Sequence, residues 1–151
     1  MKLAEALVER KALKDEIQDL RRRLQRVAKV QEGDEPVEEP VALLRTIESK
    51  LDKLEQLITR INRTNIAARL SDGRTLMEAI AERDMLRLQR GVLEDLVKAA
   101  TPEHDRYSRN EIRYVPTVKV AEIQKSADQV AKRYRKLDAE LQALNWETEL
   151  L

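Results

Sequence analysis

The sequence contains no cysteine and no phenylalanine, and its 151 residues include only three glycines and four prolines. Without cysteine, the chain has no disulfide, no thiolate metal site and no cysteine nucleophile. So few glycines and prolines leave few helix breakers, which favours a small number of long helices. Because aromatic residues make up 3% of the chain, the core must consist of leucine, isoleucine, valine and alanine, as in helix-on-helix packing.

The sequence also lacks an excess of charge of one sign, with 29 basic and 28 acidic side chains and a net charge of +1. A balanced charge gives no chain-wide attraction to a polyanion, so nucleic acid is not expected as a partner. No apolar run approaches the roughly 18–20 residues that span a bilayer. The opening MKLAEALVERKALKDE is charged within five residues, unlike a signal peptide. We therefore expect a cytoplasmic protein without membrane association.

Hydrophobic periodicity predicts four long helices. The clearest stripe alternates spacings of three and four, as on one face of an amphipathic helix: Leu44, Ile47, Leu51, Leu54, Ile58 and Ile61. Breakers and a capping box at Thr75 and Glu78 place the helices at about 2–30, 41–65, 76–100 and 120–145. Short connections make consecutive helices antiparallel. We predict one all-α domain over 1–151, an up-down-up-down bundle of four long helices, or long helical hairpins, with an irregular loop at about 101–118.

The third predicted helix carries two apolar stripes. The first consists of Leu76, Ala79, Leu86, Leu93, Val97 and Ala100, and the second of Met77, Ala81, Met85, Leu88, Val92, Leu96 and Ala99. A helix with two apolar faces contacts more than one neighbour, so we expect it to be the most buried element. Alternatively, the second stripe reaches a second subunit.

Four arginines flank the turn between the second and third helices: Arg60, Arg63, Arg69 and Arg74. Exposed helix N-termini bind anions, and these guanidinium groups would reinforce that, which makes an anion- or phosphate-binding module the alternative function. In the structural alternative, Arg60 and Arg63 complement the dipole of the second helix, and the others pair with Glu147, Glu149 or the chain terminus. We favour the structural alternative.

The irregular loop carries a second set of candidate residues: His104, Asp105, Arg106, Tyr107, Arg109, Arg113 and Tyr114. Tyrosine and arginine are enriched at interface hot spots, so this loop is a candidate contact for a subunit or a peptide. In the predicted bundle it faces the acidic loop 31–40, and the two loops neutralise each other. A divalent cation beside His104 is the weaker alternative, because one histidine without fixed ligand spacing defines no site. No metal and no cofactor are predicted.

Several runs resemble those of a known family: KVQEGDEP (29–36), RINRTN (60–65), DGRTL (72–76) and DRYSRNEIRYV (105–115). Together with the opening MKLAEAL and the closing LNWETEL, they resemble a small bacterial family labelled septicolysin-like. The resemblance implies a compact helical protein of this length and no catalytic residues. The label implies a thiol-activated, pore-forming toxin, but the chain has no cysteine and no visible segment suited to membrane insertion.

Catalytic motifs are absent on inspection, since there is no GxSxG, P-loop, HExxH or glycine-rich dinucleotide turn. We therefore predict a non-enzymatic structural or interaction protein that forms a homo-oligomer. The anion-binding module is the alternative, and the pore-forming toxin is a third hypothesis. The sequence identifies no small-molecule ligand.

Overall fold

The computed structural model describes residues 1–102 and 113–151. It contains the helices α1 (Leu3–Val27), α2 (Pro40–Ala67), α3 (Leu76–Ala100) and α4 (Val120–Glu147), and no strand is present among the described residues. The predicted all-α class with four long helices is confirmed, and each predicted boundary agrees within three residues. The chain divides into two compact units, one formed by 1–69 and 142–151 and the other by 70–141.

Local capping explains where α2 and α3 begin. Pro40 occupies the first turn of α2, and the Glu39 carboxylate accepts a hydrogen bond from the Ala42 amide at 2.9 Å. At α3 the predicted capping box is confirmed: the Thr75 hydroxyl accepts from the Glu78 amide at 3.2 Å, and the Glu78 carboxylate accepts from the Thr75 amide at 2.8 Å. Gly73, with φ of 89°, supplies the left-handed conformation of the preceding turn.

The first unit is built on an antiparallel hairpin of α1 and α2. Its core cluster consists of Leu20 and Val27 of α1 with Leu43 and Ile47 of α2. Ion pairs join α1 to α2 and to the loop before α2: Glu16 binds Lys50, and Arg23 binds Glu38 of that loop with an Nε–Oε2 distance of 3.1 Å. Residues later in α1 thus contact residues earlier in the chain segment of α2. The two helices are therefore antiparallel, as predicted.

The stripe predicted for α2 was only partly correct. Ile47 and Ile61 are buried, but Leu44 and Leu51 are nearly half exposed. The buried line instead includes Leu43, Leu57 and Thr64. Leu43 and Leu44 are adjacent apolar residues about 100° apart around the helix. Periodicity therefore allowed either line, and the position of the neighbouring helix selects the one that contains Leu43.

The two chain ends meet in the first unit. The Leu3 amide donates to the Thr148 carbonyl at 2.9 Å, and the Leu150 amide donates to the Met1 carbonyl at 2.9 Å. Leu150 is buried, although it lies beyond the end of α4. The segment after α4 is therefore held by backbone hydrogen bonds and by one buried apolar side chain.

The second unit contains α3 and most of α4, again as antiparallel neighbours. Arg83 of α3 pairs with Asp138 of α4 at 3.5 Å. Arg87, one turn later on α3, donates a hydrogen bond to the hydroxyl of Tyr134, one turn earlier on α4, at 3.1 Å. The buried side chains of this unit include Leu76, Ala79, Leu86, Ala127, Val130, Ala131, Leu137 and Leu141. They line one face of each helix.

The expectation that α3 is the most buried helix was wrong. Only three of its residues are buried, compared with six on α1. The first stripe, which contains Leu76, Ala79 and Leu86, faces the interior, whereas the second stripe stays in contact with solvent.

Candidate interaction surface

A continuous apolar stripe on the solvent side of α3 is the most distinctive surface feature of the described residues. We call it the outer stripe, and its large members, between 37% and 62% exposed, are Met77, Met85, Leu88, Val92 and Leu96. Two exposed small residues, Ala81 and Ala99, complete it. Single exposed leucines need no explanation, but an apolar stripe that follows a whole helix is a candidate binding surface.

The spacing of the outer stripe differs from that of the buried stripe. Its members follow spacings of four, four and three twice in succession, from Met77 to Leu88 and again from Leu88 to Ala99. This 11-residue repeat corresponds to about 3.67 residues per turn, so the stripe runs almost straight along the helix. At 1.5 Å per residue it is about 33 Å long. A straight helical partner can therefore follow it for its full length.

Contacts with α4 set the rotation of α3 and thereby the direction of the outer stripe. The Arg87 guanidinium lies 5.6 Å from the centroid of the Tyr134 ring as well as donating to its hydroxyl. This hydrogen bond raises the pKa of Arg87 above its ordinary value, so the guanidinium stays charged. The Glu82 carboxylate forms an ion pair with the Arg133 guanidinium of α4, with an oxygen–nitrogen distance of 3.2 Å. These contacts keep the outer stripe facing solvent.

Polar side chains border the outer stripe on both sides. At 100° per residue, Glu78 and Gln89 lie along one edge, and Asp84 and Asp95 lie along the other. An apolar centre with a polar rim is the usual anatomy of a protein interface. The exposed apolar area of the stripe is about 500 Å², near the upper end for the largest patch of a monomer. The stripe therefore has the composition and the size of a contact surface.

The four arginines predicted as an anion site have different surroundings. Arg60 donates through Nε to the backbone oxygen of Leu151 at 2.8 Å, and Arg63 is exposed. Arg69 is also exposed and belongs, like these two, to the first unit. Arg74 belongs to the second unit and pairs with Asp72 at 2.6 Å. Anion binding by this set remains a prediction, while Arg60 and Arg74 already have structural roles.

The ion pairs of Arg74 give a pH-dependent contribution to stability. Arg74 binds Asp72 and Glu82, and its hydrogen bonds lower the pKa of Asp72. Since the folded-state pKa lies below the ordinary value of about 3.9, the pair stabilises the fold above that value. The stabilisation is lost as the pH falls through the lowered pKa.

In Arg74→Gln, the pKa of Asp72 should rise towards its ordinary value, as measured by NMR titration of the carboxyl carbon. The pKa of Glu38 provides an internal control, because Arg23 lowers it and Arg74 does not. An unchanged Asp72 titration in this variant would show that the Arg74 pair is absent in solution.

Most of the predicted interaction loop lies outside the described residues: His104, Asp105, Arg106, Tyr107 and Arg109. Arg113 and Tyr114 are described, and both are exposed. The acidic loop 31–40 was expected to face this segment. Two of its carboxylates instead have partners within the first unit, since Glu38 pairs with Arg23 and Glu39 caps α2. The remaining contacts of the two loops stay a prediction.

Two features are absent from residues 1–102 and 113–151. In this part of the chain, no helix combines the length and the apolar character needed to cross a membrane. Among the same residues, no three carboxylate or imidazole groups come together as metal ligands do.

Sequence reasoning identified the members of the outer stripe but assigned them to the interior first. The signal that distinguishes the two faces of α3 is their spacing. The buried stripe recurs at spacings of three, seven, seven, four and three, which is a heptad repeat with Arg83 and Arg90 at two of its positions, whereas the outer stripe follows the 11-residue repeat. The outer stripe therefore has a helical period of its own, distinct from that of the buried stripe.

Comparison with known proteins gives a family and a fold. The chain matches the model of a family of unknown function (DUF6847) over residues 10–150. It is similar to the crystal structure of a functionally unknown conserved protein from Corynebacterium diphtheriae, with 46% identity, 100% of this chain and 99% of that chain covered, and a TM-score of 0.95. No curated protein matches. Neither match mentions septicolysin, and that resemblance remains a prediction.

Proposed function

The chain belongs to a family of unknown function, DUF6847, and we propose from its surface that it is a structural or interaction protein that associates with itself through the outer stripe of α3. The exposure of Met85, Leu88 and Val92 on a helix held in place by α4 is the observation that carries this proposal. A homo-oligomer in the cytoplasm is part of the same proposal.

The size of the outer stripe supports association between two copies. Two stripes in contact remove at most about 1,000 Å² of apolar surface from water, which is below the range of about 1,200–2,000 Å² for stable interfaces and within the range of weak, transient ones. An interface of this size must also offset the lost translational and rotational freedom of the partners. We therefore expect a reversible complex with a dissociation constant of roughly micromolar order. Because the contact is apolar, its affinity should change little between low and high salt.

Sedimentation equilibrium on Val92→Glu tests the proposal. A glutamate at this position would be desolvated without a partner in the complex, so the dissociation constant should rise at least about 100-fold. Val8→Glu on α1 is the matched control, because Val8 is 66% exposed and Val92 is 60% exposed in the chain. This control should associate as the unchanged protein does.

Circular dichroism and thermal unfolding of both variants establish that the fold is intact. A wild-type protein that stays monomeric up to millimolar concentration would disprove the proposal. An equal loss of association in Val8→Glu and Val92→Glu would also disprove it, because the effect would then come from added charge and not from the outer stripe.

A further inference from the structure

We infer that the two copies pair through α3 in antiparallel orientation, with Leu88 on the twofold axis, an inference that rests on the proposed function. The outer stripe is nearly symmetric about Leu88. Met77 lies eleven residues before it, and Ala99 lies eleven residues after it. A stripe with equal arms can lie against a reversed copy of itself without leaving an uncovered end. This is the requirement for an isologous contact, in which each copy uses the same patch.

Side-chain volume favours the antiparallel register. The facing pairs are Met77 with Ala99, Ala81 with Leu96, Met85 with Val92, and Leu88 with Leu88 of the second copy. The number of residues between each side chain and Leu88 differs by at most one within a pair. Facing side chains are therefore offset by no more than about 1.5 Å along the helix axis. A large residue thus faces a small one at both ends, and residues of medium size meet in the middle. The total volumes of the layers differ less than they do in the parallel register, so two straight helices keep a more even separation.

The parallel register packs poorly by the same measure. It sets Ala81 against Ala81 and Ala99 against Ala99, which leaves gaps, and it sets Met77 and Met85 each against its own copy. The two methionine pairs hold the helices apart. The alanine pair between them and the alanine pair at the far end of the stripe therefore cannot come into contact. Unfilled space of this kind removes dispersion contacts and destabilises the contact. The antiparallel register also places the positive end of each helix dipole beside the negative end of the other.

The absence of cysteine from the chain allows a direct test by disulfide formation. We would prepare Met77→Cys and Ala99→Cys separately and oxidise each alone, and then as an equimolar mixture, with oxidised glutathione. The antiparallel register brings position 77 of one copy beside position 99 of the other, while positions 77 of the two copies lie about 33 Å apart. A disulfide requires Cα atoms within about 7 Å.

The expected result is a covalent heterodimer in the mixture and little cross-linking of either variant alone. Ala99→Cys mixed with Glu94→Cys is the control, because these positions lie about 25 Å apart in the antiparallel register. Sedimentation equilibrium under reducing conditions verifies that the cysteine variants still associate. Together these measurements report the register independently of the affinity.

The outcomes separate the register from the proposed function. Cross-linking of Met77→Cys with itself would show a parallel contact and overturn the inference while leaving self-association in place. A dimer that yields no heterodimer in the 77 and 99 mixture would overturn it equally. A wild-type protein that is monomeric throughout would remove the proposed function, and the inference with it.

Discussion

Leu86→Ala is expected to lower the free energy of unfolding by about 2–5 kcal/mol, the usual range for a buried leucine. The Leu86 side chain is 4% exposed and belongs to the interior face of α3. Its truncation loses the transfer free energy of the removed carbons, and it leaves a cavity that the helices only partly refill. Denaturant unfolding monitored by circular dichroism at low protein concentration measures the difference.

Leu88→Ala is the matched control, because the same atoms are removed two residues later on the opposite side of α3. Leu88 is 62% exposed, so its truncation should change the stability of the monomer by less than about 0.5 kcal/mol. At concentrations where the chain associates, the same variant should lose stability, since binding stabilises the folded form by mass action. Equal effects of the two variants at low concentration would contradict the assignment of inner and outer faces to α3.

Thr64→Val is expected to lower the free energy of unfolding by about 0.5–1.5 kcal/mol, the usual net contribution of one intramolecular hydrogen bond. Thr64 is 1% exposed, and its hydroxyl accepts a hydrogen bond from the Leu151 amide at 3.0 Å. The same hydroxyl donates to the Arg60 carbonyl at 2.9 Å. Valine keeps the shape of threonine but leaves the Leu151 amide without its acceptor.

Thr46→Val is the control for losing the hydrogen bond from the threonine hydroxyl to the backbone carbonyl four residues earlier. The Thr46 hydroxyl also donates to the carbonyl four residues earlier on α2, at 3.0 Å, but Thr46 is exposed. Its replacement should change stability by no more than about 0.5 kcal/mol. Amide hydrogen exchange at Leu150 and Leu151 should accelerate in Thr64→Val alone. If the two variants lose equal stability, the contact between Thr64 and Leu151 contributes nothing to the fold.

The number, type and bounds of the helices followed from the sequence because they depend on local chemistry. Pro40 starts α2, the capping box at Thr75 and Glu78 starts α3, and Thr101 with Pro102 follows its last residue. Each signal acts within one turn of the residues that it orders. The antiparallel pairing inside each hairpin followed as well, because helices of similar length joined by short connections fold back on each other.

The tertiary structure alone decided which apolar faces are buried. On α2 the choice between the lines through Leu43 and Leu44 depends on where α1 lies, and both lines have helical period. On α3 both stripes are apolar, and packing buries only the one that contains Leu76, Ala79 and Leu86. Ion pairs such as Arg23 with Glu38 depend on the same geometry.

The membership of the outer stripe was therefore contained in the sequence, whereas its exposure, and with it the candidate interaction surface, was decided by packing. A hydrophobic pattern identifies the side chains whose burial is favourable in free energy, but it does not identify the neighbour that buries them. That neighbour is defined only when distant parts of the chain meet. For the outer stripe of α3, the proposed neighbour is a second copy of the chain.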